Sequence, residues 1–249
     1  MGTGAKLDGK HTETDYGLKL LSIEIGIPET LSEREQLSGR NIYVNTGNKG
    51  VFKQRPITLT FDRMGDYEDW LECISLISAD VAGQEVKLEL DSQPGYYYYG
   101  VAAVSTTKEN NVVTSFAISI TADPLKYADT VSTTLEDASS STLNVSGDYE
   151  TPCIIELTPS GAITTYTIQG AARDPVTGEA EDIVIKNLSA GKTVIIDGEA
   201  CTVTEDGANK YADTEMWEFP TLLPGENALT FTSSSVPCDV TIKYKPRYI

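Results

Sequence analysis

FAISITA, residues 116–122, alternates apolar and polar side chains at every step. The same period returns in ITLTFD (57–62), VKLELD (86–91), IVIKNL (183–188) and VTIKY (240–244). Successive strand side chains point to opposite faces, so a period of two gives one face to a core and the other to solvent. This is the pattern of antiparallel sheet. Turn pairs stand between the strands: Pro94-Gly95, Asn110-Asn111, Asp197-Gly198, Asp206-Gly207 and Pro224-Gly225. TVIIDGEACTV (193–203) reads as a hairpin whose Asp197-Gly198 pair adopts the positive φ angles of a type I′ turn. Residues 101–122 read as a second hairpin, turning near Asn110-Asn111.

One segment breaks the period. Tyr67, Trp70, Leu71, Ile74 and Ile77 recur at helical spacing, which predicts a helix with these five on one face. Asp66 would cap it, with Asp69 completing an imperfect capping box, and Gly83 would mark its exit. A lone helix in a β-rich half would cover the open face of a sheet. The polar stretch 129–141 reads as a linker, and TLNVSG (142–147) as the first strand of a second domain, a β-sandwich of short strands. The expected domains are therefore 1–128 and 142–249.

The chain has 249 residues and a net charge of −18. Residues 1–128 carry 12 basic and 18 acidic side chains, and residues 129–249 carry 7 and 19. Such an excess repels phosphate backbones and anionic bilayers, so neither nucleic acid nor membrane is an expected partner. Basic surfaces, cations and neutral ligands such as glycans suit it better. No apolar run approaches the ~20 residues of a membrane span, and the N-terminus has no hydrophobic signal region, which reads as a soluble intracellular chain. Cys73, Cys153, Cys201 and Cys238 are far apart in apolar surroundings and read as four buried free thiols.

Catalytic chemistry is sparsely represented. The single histidine, His11, lies in a polar N-terminal stretch and reads as a surface residue; one His makes no His-based metal cluster, and a Ser-His-Asp or Cys-His set would have to use this one. Phosphate-binding glycine loops are absent. Carboxylate pairs for glycoside hydrolysis cannot be read from spacing, and GEAEDI (178–183) lacks the regular spacing of a calcium loop. The NKYADTEMWEF stretch (209–219) reads as a solvated acidic loop. No catalytic, cofactor or metal residue is assigned, and the chain is expected not to be an enzyme. Two aromatic groups are singled out. Tyr96, Tyr97, Tyr98 and Tyr99 lie in a strand, with alternate rings on opposite faces, and suit strand packing and subunit contact. Trp217 and Tyr211 are the candidates for a glycan contact, provided that Trp217 is not buried.

Several segments, in order, resemble the distal tail protein family of siphophages and their prophage relatives. They are LDGKHTETDYGLKLLSIEIGIPE (7–29), VFKQRPITLTF (51–61), KLELDSQPGYYYYGVA (87–102) and FAISITADPLKYA (116–128) in the first half. In the second half they are VIIDGEACTVTEDG (194–207), EFPTLLPGENALTFTSS (218–234) and VTIKYKPRYI (240–249). The resemblance implies a mainly β chain, with an N-terminal sandwich or barrel-like tail-tube-type domain bearing one helix and a C-terminal galectin-like β-sandwich. It implies a structural component of the virion tail, made in the bacterial host cytoplasm. Six copies would form a hub ring between the tail tube protein and the baseplate, tail-tip or receptor-binding proteins, without cofactors. The loop after Pro28 is expected to be compact. The alternative reading is a carbohydrate-binding module for host cell-wall glycans.

Overall fold

A computed structural model describes residues 4–31, 34–36, 38–45, 51–62, 65–110, 112–174, 176–233 and 236–249. The protein is mainly β, with antiparallel sheets and, among the described residues, one α-helix. It divides into two units, the first ending at Tyr127 and the second running Ala128–Tyr248, with Ile249 grouped with the first.

The first unit contains β1 (Ala5–Leu7), β2 (Lys10–His11), β3 (Lys19–Ile25), β4 (Arg34–Gln36), β5 (Tyr43–Asn45) and β6 (Arg55–Asp62). After α1 (Tyr67–Val81) come β7 (Glu85–Leu90), β8 (Tyr96–Glu109), β9 (Val112–Ala122) and β10 (Lys126–Ala128). The sheet runs β2-β1-β7-β8-β9-β6-β3, with β10 also on β8. The alternation read from the sequence sets its buried face. Ile57, Leu59 and Phe61 of β6 lie opposite Ile120, Ile118 and Phe116 of β9. The Phe61 and Phe116 rings are 5.8 Å apart, a cross-strand aromatic pair.

Helix α1 buries Trp70, Ile77 and Val81 in the same core, with Tyr67, Cys73 and Ile74 packed beside them. The expected face is corrected at Leu71, which is exposed: it sits about 100° around the helix from Trp70, off the stripe that Trp70, Ile74, Ile77 and Val81 form. Asp66 does occupy the N-cap position, but its side chain makes no capping hydrogen bond. The first turn is tied down differently, by the Tyr67 hydroxyl accepting from the Val113 amide of β9 at 3.0 Å. Gly83 leaves the helix at φ +74 and donates to the Ala102 carbonyl, which feeds the chain into the sheet.

The segment after Pro28 is not a compact loop. The pairing between β3 and β6 continues outward as Gly26 to Pro56, Lys53 to Glu29 and Leu31 to Val51 backbone hydrogen bonds, and then as the separate β4–β5 pair. This hairpin arm exposes Ile27 at 83 %, together with Leu31, Ile42 and Val51.

The second unit is a two-sheet sandwich. Its strands are β11 (Val131–Leu135), β12 (Ser140–Val145), β13 (Thr151–Pro159), β14 (Ile163–Arg173), β15 (Ala180–Leu188), β16 (Val194–Asp197), β17 (Thr202–Glu205) and β18 (Ala208–Asn209). They continue as β19 (Thr214–Glu215), β20 (Thr221–Leu222), β21 (Gly225–Ser233), β22 (Cys238–Tyr244) and β23 (Arg247–Tyr248). One sheet runs β11-β22-β13-β16-β17-β18 and the other β12-β21-β14-β15-β19. Ile155, Leu157, Ile196, Val240 and Ile242 share one buried core with Tyr166, Ile168, Ile183, Ile185 and Phe231. The stretch 129–141 is not a linker: Val131–Leu135 pairs along β22, with the Thr134 and Thr241 hydroxyls 3.0 Å apart. An edge strand with little apolar content still gains a full backbone ladder from its partner.

Of the two Asp-Gly pairs, Asp206-Gly207 makes the turn expected of it and Asp197-Gly198 does not. The β16–β17 hairpin has no two-residue turn: the Asp197 carboxylate accepts from the Glu199 and Ala200 amides, and Cys201 takes the positive φ. Gly198 is required for a different reason, since a Cβ there would lie 2.2 Å from the Pro220 carbonyl oxygen and 2.9 Å from that of Cys153. The type I′ geometry sits instead at Asp206-Gly207, with φ of 52° and 82°, between β17 and β18. The β8–β9 hairpin turns at Asn110 (φ 48), while Asn111 lies outside the described residues. Gly198→Ala is expected to cost about 2 kcal/mol, because the clash is with backbone that cannot rotate away; urea denaturation followed by circular dichroism measures it.

The cysteines are all free, but only Cys153 and Cys238 are buried; Cys73 is half-buried and Cys201 is exposed. Burial pushes the Cys153 thiol up to about 12 and the Cys238 thiol to about 11, so neither reacts as a thiolate near neutrality.

Candidate functional site

The tyrosine strand does as its alternation says, with a consequence for its role. Tyr98 faces the core, donating to Gln93 Oε1 at 2.9 Å with the Arg55 guanidinium 5.6 Å from its ring centre. Tyr97 turns to the other face, stacks on Tyr127 at 5.8 Å and carries the Lys87 ammonium 4.2 Å from its ring centre. Both rings are at most 5 % exposed, so neither is free for a subunit contact. Tyr96 and Tyr99 stay partly exposed; the Tyr96 ring lies 5.0 Å from the Lys126 ammonium.

The other candidate pair separates. Trp217 is 90 % exposed and Tyr211 50 %. Tyr211 lies against Phe219, rings 6.1 Å apart and 21° from parallel, and the two line an open groove of about 460 Å³. Thr202 and Thr204 of β17 and Asn209 of β18 complete its polar wall. Trp217 does not line the groove; it stands on the segment leading into Phe219.

The groove is held from beneath by a residue that sequence reading passed over. Lys210 is buried, and its ammonium donates to the Asn187 carbonyl at 2.8 Å, Asp213 at 3.0 Å and Glu205 at 3.3 Å. Its amide donates to the Val203 carbonyl, so the side chain and backbone together fix the turn that carries Tyr211. The Asn209 side chain accepts from the Tyr211 amide at 2.9 Å, and Thr214 donates to the Tyr211 carbonyl at 2.8 Å. Burial would raise the Glu205 carboxyl, but bonds from the Ser189 amide and Lys210 outweigh it and hold Glu205 below its usual range. Lys210 and then Asn187 hold Asp213 low as well. The sequence did contain a signal, because Lys210 is the lone basic residue between Lys192 and Lys243. A solitary cation in an acidic stretch is a candidate for an internal counter-charge.

His11 is placed by structure rather than poised for chemistry: its Nδ1 accepts from the Glu13 and Thr14 amides, and its Nε2 faces Asp91 at 3.2 Å. Among the described residues no group of three or more His, Cys, Asp or Glu side chains is arranged to hold a metal ion. No helix among them is long and apolar enough to cross a membrane.

These features describe a two-unit β protein with an aromatic-lined groove and an apolar arm, and part of its sequence is similar to a known family. Residues 146–248, most of the second unit, match the family described as siphovirus-type tail component, C-terminal domain. Over its whole length the fold is similar to that of the Dit protein (gp 19.1) of phage SPP1, at 17 % identity, with 100 % of both chains covered and a TM-score of 0.79. A chain of the phage P2 baseplate, in its activated conformation with calcium, aligns at 12 % identity over 98 % of both chains with a TM-score of 0.47. Curated proteins give no match.

Proposed function

We propose that this chain is a phage distal tail protein that assembles into a hub ring, with about six copies closing through one repeated heterologous contact. The observation that carries the reading is the tail-component match over residues 146–248. The end-to-end likeness to SPP1 Dit, described as a paradigm of the hub adsorption apparatus in phages that infect Gram-positive bacteria, supports it over the first unit. On this reading the role is structural, not enzymatic. The ring lies in the virion tail, between the tail tube protein and the baseplate or receptor-binding proteins, after synthesis in the host cytoplasm.

The exposed apolar residues of the arm suit such a contact, since apolar side chains left in water on one element are covered by association. Tyr96 and Tyr99 are proposed to contribute from the sheet.

Size-exclusion chromatography with light scattering, followed by negative-stain imaging, tests the reading. The expected result is ring-shaped particles with a mass of about six times 27.0 kDa. Ile27→Lys is expected to dissociate them without lowering thermal stability, because Ile27 packs against little within its own unit. A chain that stays monomeric both alone and when mixed with its tail tube protein would contradict the ring.

A further inference from the structure

We infer that the groove between β17, β18 and Phe219 is a binding site for a neutral glycan, with a pyranose ring lying on the Tyr211 face. The hub reading neither requires nor supplies this site.

The chemistry of the lining selects the ligand. The groove, at about 460 Å³, falls in the roughly 300–1,000 Å³ range of small-ligand sites. Its aromatic wall is Tyr211 stacked on Phe219, and half of the Tyr211 surface remains open. A ring face of this kind accepts the C–H face of a sugar, while the polar tip of the tyrosine stays wet. Thr202, Thr204 and Asn209 also line the groove and bring two hydroxyls and a side-chain amide to it. The Asn209 oxygen is already used by the Tyr211 amide, which leaves its NH2 as a donor. Donors and acceptors of this mixed, uncharged kind match hydroxyl groups, which both give and accept hydrogen bonds.

Charge excludes the other ligand classes. Among the described residues no cation lines the groove to hold a phosphate or carboxylate. The nearest one in sequence, Lys210, is buried, with its ammonium committed to Asn187, Glu205 and Asp213. Among the described residues no carboxylate lines the groove either, to attract a cationic ligand. The platform is also fixed in advance: Lys210, Asn209 and Thr214 all bond the turn that presents Tyr211, so little conformational freedom is lost on binding. Trp217, almost fully exposed and two residues before Phe219 in the chain, offers a second ring for a longer chain of sugars.

The test uses the full chain and a panel of neutral oligosaccharides: tri-N-acetylglucosamine, a glucose trimer and a galactose-terminated trisaccharide. Polyglycerol phosphate serves as the anionic comparison. Calorimetric titration reads binding directly. Saturable binding to at least one neutral member is expected, weakened about tenfold or more by Tyr211→Ala, a loss of about 1.4 kcal/mol. Thr202→Val, which keeps shape and removes a hydroxyl, is expected to weaken it as well. Both positions are solvent-facing, and unchanged circular dichroism melts establish that the variants are folded. Trp217→Ala, which cannot disturb a core, should weaken binding of a trisaccharide more than that of its parent monosaccharide, titrated alongside. No saturable binding across the neutral panel overturns the inference. So does binding that Tyr211→Ala and Thr202→Val leave intact, or a preference for polyglycerol phosphate.

Discussion

Trp70→Ala is expected to destabilise the first unit by about 4 kcal/mol, the cost of emptying a fully buried aromatic site. Trp70 is the largest side chain on the buried stripe of α1, and it packs in one cluster with Phe61, Phe116, Ile118 and Leu88. Its removal takes away the contact that holds the helix over the sheet; what remains is Ile77, Val81 and the Tyr67 bond to Val113. The indole N–H of Trp70 finds no acceptor among the described residues. Trp70→Phe therefore gives up volume but no hydrogen bond, and is expected to cost about 1 kcal/mol. Because the protein has two units, one unfolding free energy would mix them. Peptide-resolved hydrogen exchange separates them: in Trp70→Ala, protection should fall in α1, β6 and β9 and stay unchanged in β13, β14 and β22. Equal loss of protection in both units would contradict this assignment of Trp70.

The residues that made the fold legible are those whose burial is periodic. Ile57, Leu59 and Phe61, or Ile118 and Ile120, declare a strand because one face of it must be apolar. Trp70 and Ile77 declare a helix for the same reason. Val131–Leu135 escaped notice because an edge strand can be held by backbone hydrogen bonds and hydroxyl pairs, neither of which leaves an apolar period. The Asp-Gly pairs show a second limit. Asp197-Gly198 and Asp206-Gly207 have the same local chemistry, yet only the second makes a type I′ turn. At the first, the approach of the Pro220 and Cys153 carbonyls selects glycine, which is tertiary information. At the groove, Tyr211, Trp217 and Phe219 could be chosen by type, and of these Tyr211 and Phe219 line it; Thr202 could not be chosen. Thr202 comes from a separate segment, and Lys210 stands out in the sequence only as a solitary cation until its three acceptors are in place.

Lys210→Met should cost about 3 kcal/mol at pH 7, since it removes one partner from a buried charge cluster and leaves Glu205 and Asp213 facing an apolar chain. The figure is set at the low end for such losses because the Asp213 side chain is 39 % exposed, and solvent compensates part of its charge. The pH dependence gives the sharper test. Both carboxyls are held below their ordinary range in the folded protein. A lowered folded pKa contributes stability that is fully present above the unfolded pKa and is lost as pH falls through the folded one. In the native chain that contribution is present at pH 7 and fades below about pH 4, where carboxylates protonate. In Lys210→Met the Lys210 share of it is absent at both pH values. The stability gap between the two proteins should therefore narrow on going from pH 7 to pH 3, as read by urea denaturation at each pH. A gap that stays constant would mean that Lys210 acts through packing of its alkyl stem, not through its charge. The variant should also lose oligosaccharide binding while Tyr211 is still present, because the turn that aims the ring into the groove is no longer pinned to Asn187 and Asp213. Retained binding would show that the Tyr211–Phe219 stack holds the platform without the ion cluster.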